Sequence, residues 1–326
     1  MAAFDCPKVL CVGDTHHLER PLSKVIAYAK RAGFDFIVSS HNRQHLHWFA
    51  EAGFSKLAWI PGLKARHMPR PIGEDRTPRV CFIGQASQFH PRRQRLLAAL
   101  QDRGLPLLAR QASREESADL YASSVATFNA SLNGDLNLRV FEVLSAGGCL
   151  LTDRLSPQSG LDLILREGRD FCAYGSTEEL VDKARFLLRE PAAALALARA
   201  GNQTYSQTML PQRQAEALLD WVFGERLDSV YGIAPAPPSP SPFPSLNLRL
   251  SVYEALQEAH RHLEKPAVLF SSALPAIFRQ DAADLYRLDM SVGDPREMAY
   301  KSWDCIVAPK GTDLPAGTRP KLLISV

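Results

Sequence analysis

No two of the six cysteines stand in a C-x-x-C pair. Cys11, Cys81, Cys149 and Cys305 instead sit inside apolar runs, where a reduced cysteine behaves as a small hydrophobe. A disulfide framework is therefore not expected, and a reducing, cytoplasmic setting is. The chain also lacks any apolar run near the roughly 18 residues of a membrane-spanning helix. No secretory signal is read at Met1–Asp5, which is followed at once by a strand-like segment. The net charge of +3 is small and shows no continuous basic stripe, so nucleic acid is not an expected partner. The local run His90–Arg95 (HPRRQR) reads as a phosphate contact. There is no P-loop, no G-x-S-x-G elbow, no strand-linked G-x-G-x-x-G and no short-period repeat, which removes several α/β enzyme classes.

What is present is an alternation of strand and helix. Short apolar runs at Lys8–Val12, Phe36–Ser39 and Leu57–Ile60 read as buried strands. Between them, Pro21–Ala32 and Gln44–Ala52 read as helices, each ended by a glycine. Lys64–Pro78 has no clear period and reads as a connection. A second series begins with strand Arg79–Ile83 and helix Gln94–Arg103. It continues through strands Leu105–Ala109, Val125–Asn129, Cys149–Thr152 and Phe171–Tyr174. Its helices are Glu115–Ser123, Asn137–Ala146, Thr177–Arg189 and a long stretch, Ala192–Trp221, interrupted near Pro211. Such alternation predicts parallel sheets with helices on both faces. Ala234–Pro244 (APAPPSPSPFP) is a semi-rigid linker. Beyond it come helix Val252–Leu263 and strands Ala267–Ser271, Tyr286–Ser291, Cys305–Ala308 and Leu322–Val326.

The expected organisation is an α/β chain of two Rossmann-like lobes with an additional C-terminal α/β segment. A short first lobe spans 1–75, a second lobe 76–232, the linker 233–245 and the last segment 246–326. The first lobe has only about three strands. The last segment is accordingly expected either to fold back and complete its sheet, since chain termini often lie close together, or to form an appended domain that binds a protein partner.

The chemistry concentrates in Asn133–Asp153. A polar loop (Asn133, Gly134, Asp135) leads into a helix, then Gly147-Gly148, then an apolar strand. Asn137 stands at the helix start, a favourable N-cap position. Arg139 and Glu142, three apart, share a helical face. A helix N-terminus suits a diphosphate, a carboxylate one turn in suits ribose hydroxyls, and a guanidinium beside it suits phosphate. A plain surface ion pair followed by a glycine C-cap fits the same residues.

The run RVFEVLSAGGCLLTD resembles the C-terminal-lobe signature of group-1 glycosyltransferases, and most closely the branch related to the spore-maturation protein CgeB. Val80–Gly84 with its Arg-bearing helix start, Phe171–Glu179 (FCAYGSTEE) and Arg189–Gly201 (REPAAALALARAG) are similar to that lobe as well. The resemblance covers about Arg79–Val222. It implies the GT-B fold, a nucleotide-linked sugar as donor (UDP-, GDP- or similar), an unspecified acceptor and no required metal or other cofactor. It places Glu142 at the donor ribose and Asn137 and Arg139 ahead of it. Gly147 and Gly148 match the family's glycine pair, and Gly84 its phosphate-side turn. Either Arg92 or Arg93 would then neutralise the leaving diphosphate. Two positions depart from the family. The earlier glutamate expected eight positions before Glu142 is here Gly134, next to Asp135. The His-Thr before the last helix is replaced near Thr208–Gln212.

Asp14-Thr15-His16-His17 follows the first strand, at the end where open α/β sheets bind ligands. Asp14 or His16 is placed there to deprotonate an acceptor hydroxyl. CgeB-like proteins carry Asp and His at a similar place, although a loop-capping Asp with solvent-facing histidines would look the same in sequence. His41, His45 and His47 form a second cluster. It lacks the clear third ligand of a metal site, and acceptor contact or ordinary surface roles fit it better.

Overall fold

The computed structural model describes residues 5–13, 15, 19–64, 69–132, 134–233, 244–263, 265–285, 287–298, 301–316 and 318–326. Residues 234–243 of the Pro/Ser linker lie outside these residues.

The first lobe runs β1 (Val9–Val12), α1 (Pro21–Ala32), β2 (Phe36–Ser39), a 3-10 turn at Arg43–His45, α2 (Leu46–Glu51) and β3 (Leu57–Trp59). Its strands pair in parallel in the order β1-β2-β3. Proline opens α1, where its missing N–H costs nothing. Gly33, at φ 62°, closes it by donating to the carbonyls of Ala29 and Lys30.

The second lobe runs β4 (Thr77–Ile83), α3 (Pro91–Asp102), β5 (Leu107–Arg110), α4 (Arg114–Ser123), β6 (Ser124–Phe128), α5 (Leu138–Ser145), β7 (Leu150–Asp153), α6 (Leu161–Ile164), β8 (Cys172–Tyr174), α7 (Thr177–Arg189) and α8 (Pro191–Thr208). Its five strands lie parallel in the order β5-β4-β6-β7-β8. Ser113 and Ser176 cap α4 and α7 by accepting from the N–H groups of Glu116 and Glu179, the Ser-x-x-Glu pattern of a capping box. The helical run expected over 192–221 is broken, as its proline suggests, into α8 and α9 (Pro211–Gly224). The break lets α9 return to the first lobe. There Trp221 and Val222 join Phe36, Val38, Ala58 and Ile60 in one cluster, with Trp221 edge-on to Phe36 at 4.9 Å.

The last segment holds α10 (Leu246–His262), β9 (Ala267–Ser271), α11 (Ile277–Ala282), β10 (Asp289–Gly293), β11 (Cys305–Ala308) and β12 (Leu322–Ser325). Its strands make a separate parallel sheet in the order β10-β9-β11-β12. Among the described residues, β9 does not extend the sheet of β1, so completion of the first lobe by added strands is not what forms. The reason is α10, which contacts α1 of the first lobe and also β11 and β12 of the new sheet. Leu250, Val252, Tyr253, Leu256 and His260 are all buried along it. A helix buried on both sides separates two sheets that would otherwise have to share an edge. The segment is nevertheless continuous with the rest: Leu22 and Trp48, Phe141 and Leu144, and Tyr253 and Phe270 belong to one apolar cluster.

The seam between first lobe and last segment is polar as well as apolar. Glu254 accepts from the Ser23 amide at 2.9 Å and its hydroxyl at 2.7 Å, which satisfies donors in the first turn of α1. Arg249 is buried, donates to Asp281 at 2.6 and 2.8 Å, and also meets Glu51. Asp284 lies 3.4 Å from His47 Nδ1. Burial first, and the nearby Asp281 second, push the Asp284 carboxyl up to about 8. The folded chain thus keeps a proton that the unfolded chain releases near its ordinary value of 3.8. Stability from this group is complete in acid and declines as pH rises towards the folded value. The unfolding midpoint should fall between about pH 4 and 8, by up to ~1.4 kcal/mol per pH unit. Asp284→Asn should flatten that slope in a thermal-denaturation series; an unchanged slope would discount the group.

Candidate functional site

The tips of the first and second sheets face each other. The Leu136 amide donates to the His41 carbonyl at 3.2 Å, and Gln44 Nε2 donates to the Gly134 carbonyl at 3.3 Å. Arg43 Nη1 donates to the Gln158 carbonyl at 3.4 Å. The loop that leaves β2 therefore lies on the loop that enters α5, as expected when parallel strands direct ligand-binding loops to their C-terminal ends. Ser39, Ser40, His41, Asn42, Gln44 and His45 are all buried there.

On the second-lobe side, β4 ends at Gly84, whose φ is 147°. A Cβ at this position would collide with the guanidinium of Arg139, so glycine is required both for the backbone conformation and for the approach. Arg139 reaches across from α5. Its Nε donates to the Ile83 carbonyl at 2.9 Å and its Nη1 to Asn129 Oδ1 at 3.0 Å. Its Cζ stands 4.6 Å from the centre of the Phe82 ring. Arg93, in the first turn of α3, converges on the same ring at 5.5 Å and donates to the Gln85 and Ala130 carbonyls at 2.7 and 3.1 Å. Burial, and then the Arg139 charge, push the Arg93 pKa down to about 10. Two guanidinium groups thus meet beside a glycine turn, with carbonyls, an amide and the Tyr121 hydroxyl rather than carboxylates as hydrogen-bond partners. Such a pair favours an anion.

Asn137 occupies the N-cap position of α5, but its side chain makes no cap hydrogen bond. Its Nδ2 donates instead to the Ala130 carbonyl at 3.4 Å, and its Oδ1 is buried without a partner. The first amides of α5 are thus not capped by the side chain that precedes them, which suits an anion at a helix start. Glu142 lies one turn further along α5, half-buried, and its charge acts on Tyr121, whose hydroxyl is pushed up to about 12 mainly by burial.

Other residues singled out by the sequence lie apart from this cluster. Arg92 does not join Arg93 and Arg139: its guanidinium is buried and pairs with Asp153 at 2.7 Å. Burial alone would raise the Asp153 carboxyl, but the charges of Arg92 and Arg287 and the hydrogen bonds from Ser131 outweigh it and hold it below its ordinary value. Of the two arginines offered by sequence, Arg93 is the one placed beside Gly84 and Arg139. Gly147 and Gly148 lie away from Gly84 and Arg139 as well. They close α5 at its opposite end by donating to Leu144 and Val143, and side chains there would meet Ile72 and Tyr121. Asp135, beside the position where the family carries a glutamate, is buried and accepts from the Leu132 amide at 2.8 Å. It forms the turn that Gly134 completes at φ 78°.

Asp14 and His16 lie outside the described residues. Between them Thr15 is buried, with its Oγ1 2.6 Å from His45 Nδ1. His45 Nε2 is in turn 2.8 Å from the Tyr253 hydroxyl. His45 thus braces the β1 loop against α10. His47 contacts the Gln44 carbonyl at 2.7 Å, so the histidines do not converge, and no group of three metal-ligating side chains occurs among the described residues. Sequence reasoning missed Asp153, Asn129 and the buried tip of β2. The motif's terminal Thr-Asp was the available signal for Asp153.

Residues 92–220 match a family model described as "Glycosyl transferase-like". Among solved structures, the chain is similar to a sucrose-phosphate synthase from Thermosynechococcus elongatus at 13% identity and TM-score 0.54, covering 69% of this chain and 70% of that one. It is also similar to a point mutant of S. aureus TarM, solved with fondaparinux, alpha-GlcNAc-glycerol and UDP, at 10% identity and TM-score 0.50, covering 67% of this chain. A third similar structure is Anabaena HepE with UDP-glucose, at 15% identity, TM-score 0.47, and 65% and 72% coverage. The chain spans about half the length of the TarM structure, 51%. A sequence search of curated proteins finds no match. The first two structural likenesses show the fold, two Rossmann-like lobes of the GT-B type, and the family match places a glycosyltransferase-like domain in the second lobe.

Proposed function

We propose that the protein transfers a sugar from a nucleotide-sugar donor to an acceptor held against the first lobe, without a metal. The observation that carries this reading is the convergence of Arg93 and Arg139 beside Gly84 and the start of α5. A leaving nucleoside diphosphate carries the charge that these groups lack, and preorganised cations and amides aimed at developing charge are a large source of transfer-rate acceleration. Glu142, one turn on, is at the position that resemblance assigns to the donor ribose. The UDP named in the TarM structure supports UDP as the first nucleotide to test. The motif RVFEVLSAGGCLLTD supports the CgeB-like branch, and the six free thiols support a reducing, cytoplasmic setting. Among the described residues, no helix is long and apolar enough to cross a membrane. Asp14 or His16, on the loop that Thr15 and His45 anchor, takes the acceptor proton in this reading.

The experiment is calorimetric titration with UDP, GDP, TDP and CMP. One nucleotide should bind, and Glu142→Ala should raise its dissociation constant at least about tenfold, since a hydrogen bond donated to a charged group is worth ~1.5–3 kcal/mol. Binding of none, or equal binding by the variant, would count against the site. A second reading, a nucleotide-sugar-binding protein without transferase activity, rests on Gly134 standing where a carboxylate is expected and on Asp135 being turned into its own loop. Donor hydrolysis and transfer assays separate the two: product release supports the enzyme, and binding without turnover the second reading.

A further inference from the structure

Helix α10 holds both ends of the connection between β1 and α1. At the entry, Thr15 Oγ1 lies 2.6 Å from His45 Nδ1, and His45 Nε2 lies 2.8 Å from the Tyr253 hydroxyl. All three side chains are buried. A hydroxyl both donates and accepts, so one imidazole serves both hydroxyls at once and the relay is complete. One turn beyond Tyr253, Gln257 is buried, and its Nε2 donates to the Thr15 carbonyl at 3.5 Å. At the exit, Arg20 adopts a left-handed conformation, φ 51°, which is costly for a residue with a Cβ and persists only where its surroundings enforce it. Glu254 meets Arg20 Nε at 3.5 Å and accepts from both the amide and the hydroxyl of Ser23. Tyr253, Glu254 and Gln257 thus reach both ends of the connection from a single turn of α10. The space beside them is open. A cavity of about 580 Å³, walled by Arg20, Pro21, Glu254 and Gln257, lies between α10 and the start of α1, and its size suits a small ligand.

We propose that Tyr253 and Gln257 are positioning residues for sugar transfer: through them the last segment fixes Thr15, and with it the acceptor side of the site. This inference rests on the transferase reading above. Thr15 follows β1, at the strand end where open α/β sheets bind ligands. Its chain neighbours Asp14 and His16 are the residues to which that reading gives the acceptor proton. A base must stand within hydrogen-bond reach of the hydroxyl it deprotonates. Slack at Thr15 therefore costs rate, while the donor, held by the second lobe, binds as before. The last segment lends no strand to the first sheet, yet it supplies the buried groups that hold the acceptor-side loop in place.

The test follows hydrogen exchange in the full chain together with steady-state hydrolysis of UDP-, GDP- and TDP-glucose, in which water takes the place of the acceptor. Tyr253→Phe removes only the hydroxyl. Thr15→Val removes the hydroxyl at the other end of the relay, and Thr15→Ser retains it. Tyr253→Phe and Thr15→Val should each speed amide exchange at Thr15 about tenfold, as expected when a buried hydrogen-bond partner is lost. Each should lower kcat about tenfold for the donor that turns over and leave its KM unchanged. The double variant should lose little more than either single one, because both break the same relay, and Thr15→Ser should restore exchange and kcat. Ile306→Val, in the core of the third sheet, controls for a general loss of stability and should alter neither. The proposal is overturned if Tyr253→Phe leaves exchange at Thr15 unchanged, or if Ile306→Val reproduces the loss of kcat. No turnover of any donor by the unaltered chain overturns the transferase reading, whereas turnover that Tyr253→Phe and Thr15→Val leave unaltered overturns this proposal alone.

Discussion

Replacing Arg249 by alanine should destabilise the protein by about 3–5 kcal/mol, the usual result of removing one partner from a buried charge cluster. The guanidinium is 5% exposed and stacks 5.2 Å from Trp48. Burial opposes its charge, but the hydrogen bonds of Asp281 and Glu51 reverse this and hold its pKa above the ordinary arginine value. Without it, the carboxylates of Glu51 and Asp281 lose the cation they share across the seam between α2, α10 and α11. Urea unfolding should show the loss as a shift in midpoint. Glu51→Gln should cost much less, because Arg249 keeps its two hydrogen bonds to Asp281. A fall below ~1 kcal/mol for Arg249→Ala would mean that the last segment detaches without consequence for the first lobe.

The second large effect is expected on transfer rather than on stability. In the proposed transfer reaction, Arg139→Gln should lower the rate by roughly 10²–10³, the scale seen when one preorganised charge-stabilising donor is removed. It should also weaken binding of the nucleotide diphosphate. Arg92→Gln is the informative contrast. That side chain is locked to Asp153, so its loss should lower the unfolding midpoint and leave nucleotide affinity nearly unchanged. If Arg92→Gln abolished binding while Arg139→Gln did not, the assignment of the two arginines would be reversed. Rates and midpoints measured on both variants settle the matter.

Much of the molecule was legible in the sequence, for identifiable reasons. Short apolar runs bounded by glycine and proline mark buried parallel strands, because a strand covered on both faces has no polar alternation to preserve. The stretch Asn133–Gly148 stood out in the sequence as a candidate site because a polar loop, a helix start and an arginine in its first turn are local features. The proline at 211 correctly marked the break between α8 and α9. Boundaries were softer: α3 begins at Pro91 and α10 at Leu246, each earlier than expected, since their first turns carry charged or mixed residues that apolar periodicity does not register. Helix α11 was missed because six residues are too few to show a period.

What only the tertiary structure decided was which side chains are already occupied. Arg92 and Arg93 are neighbours with the same chemistry, and nothing local separates them. They point in different directions around the turn of a helix, so one meets buried Asp153 and the other the ring of Phe82. The glycine pair resembled a ligand turn until the length of α5 placed it at the wrong end. The last segment carried strands that suited the first sheet, but α10 is apolar on two sides and must be covered on both, which keeps the sheets apart. Sequence by itself determined the α/β class, the order of elements and the position of the candidate site, because those follow from local periodicity and from turn and cap chemistry. The division of labour among its arginines and the independence of the third sheet are set by contacts between residues far apart in the chain, and only the packed fold determines those.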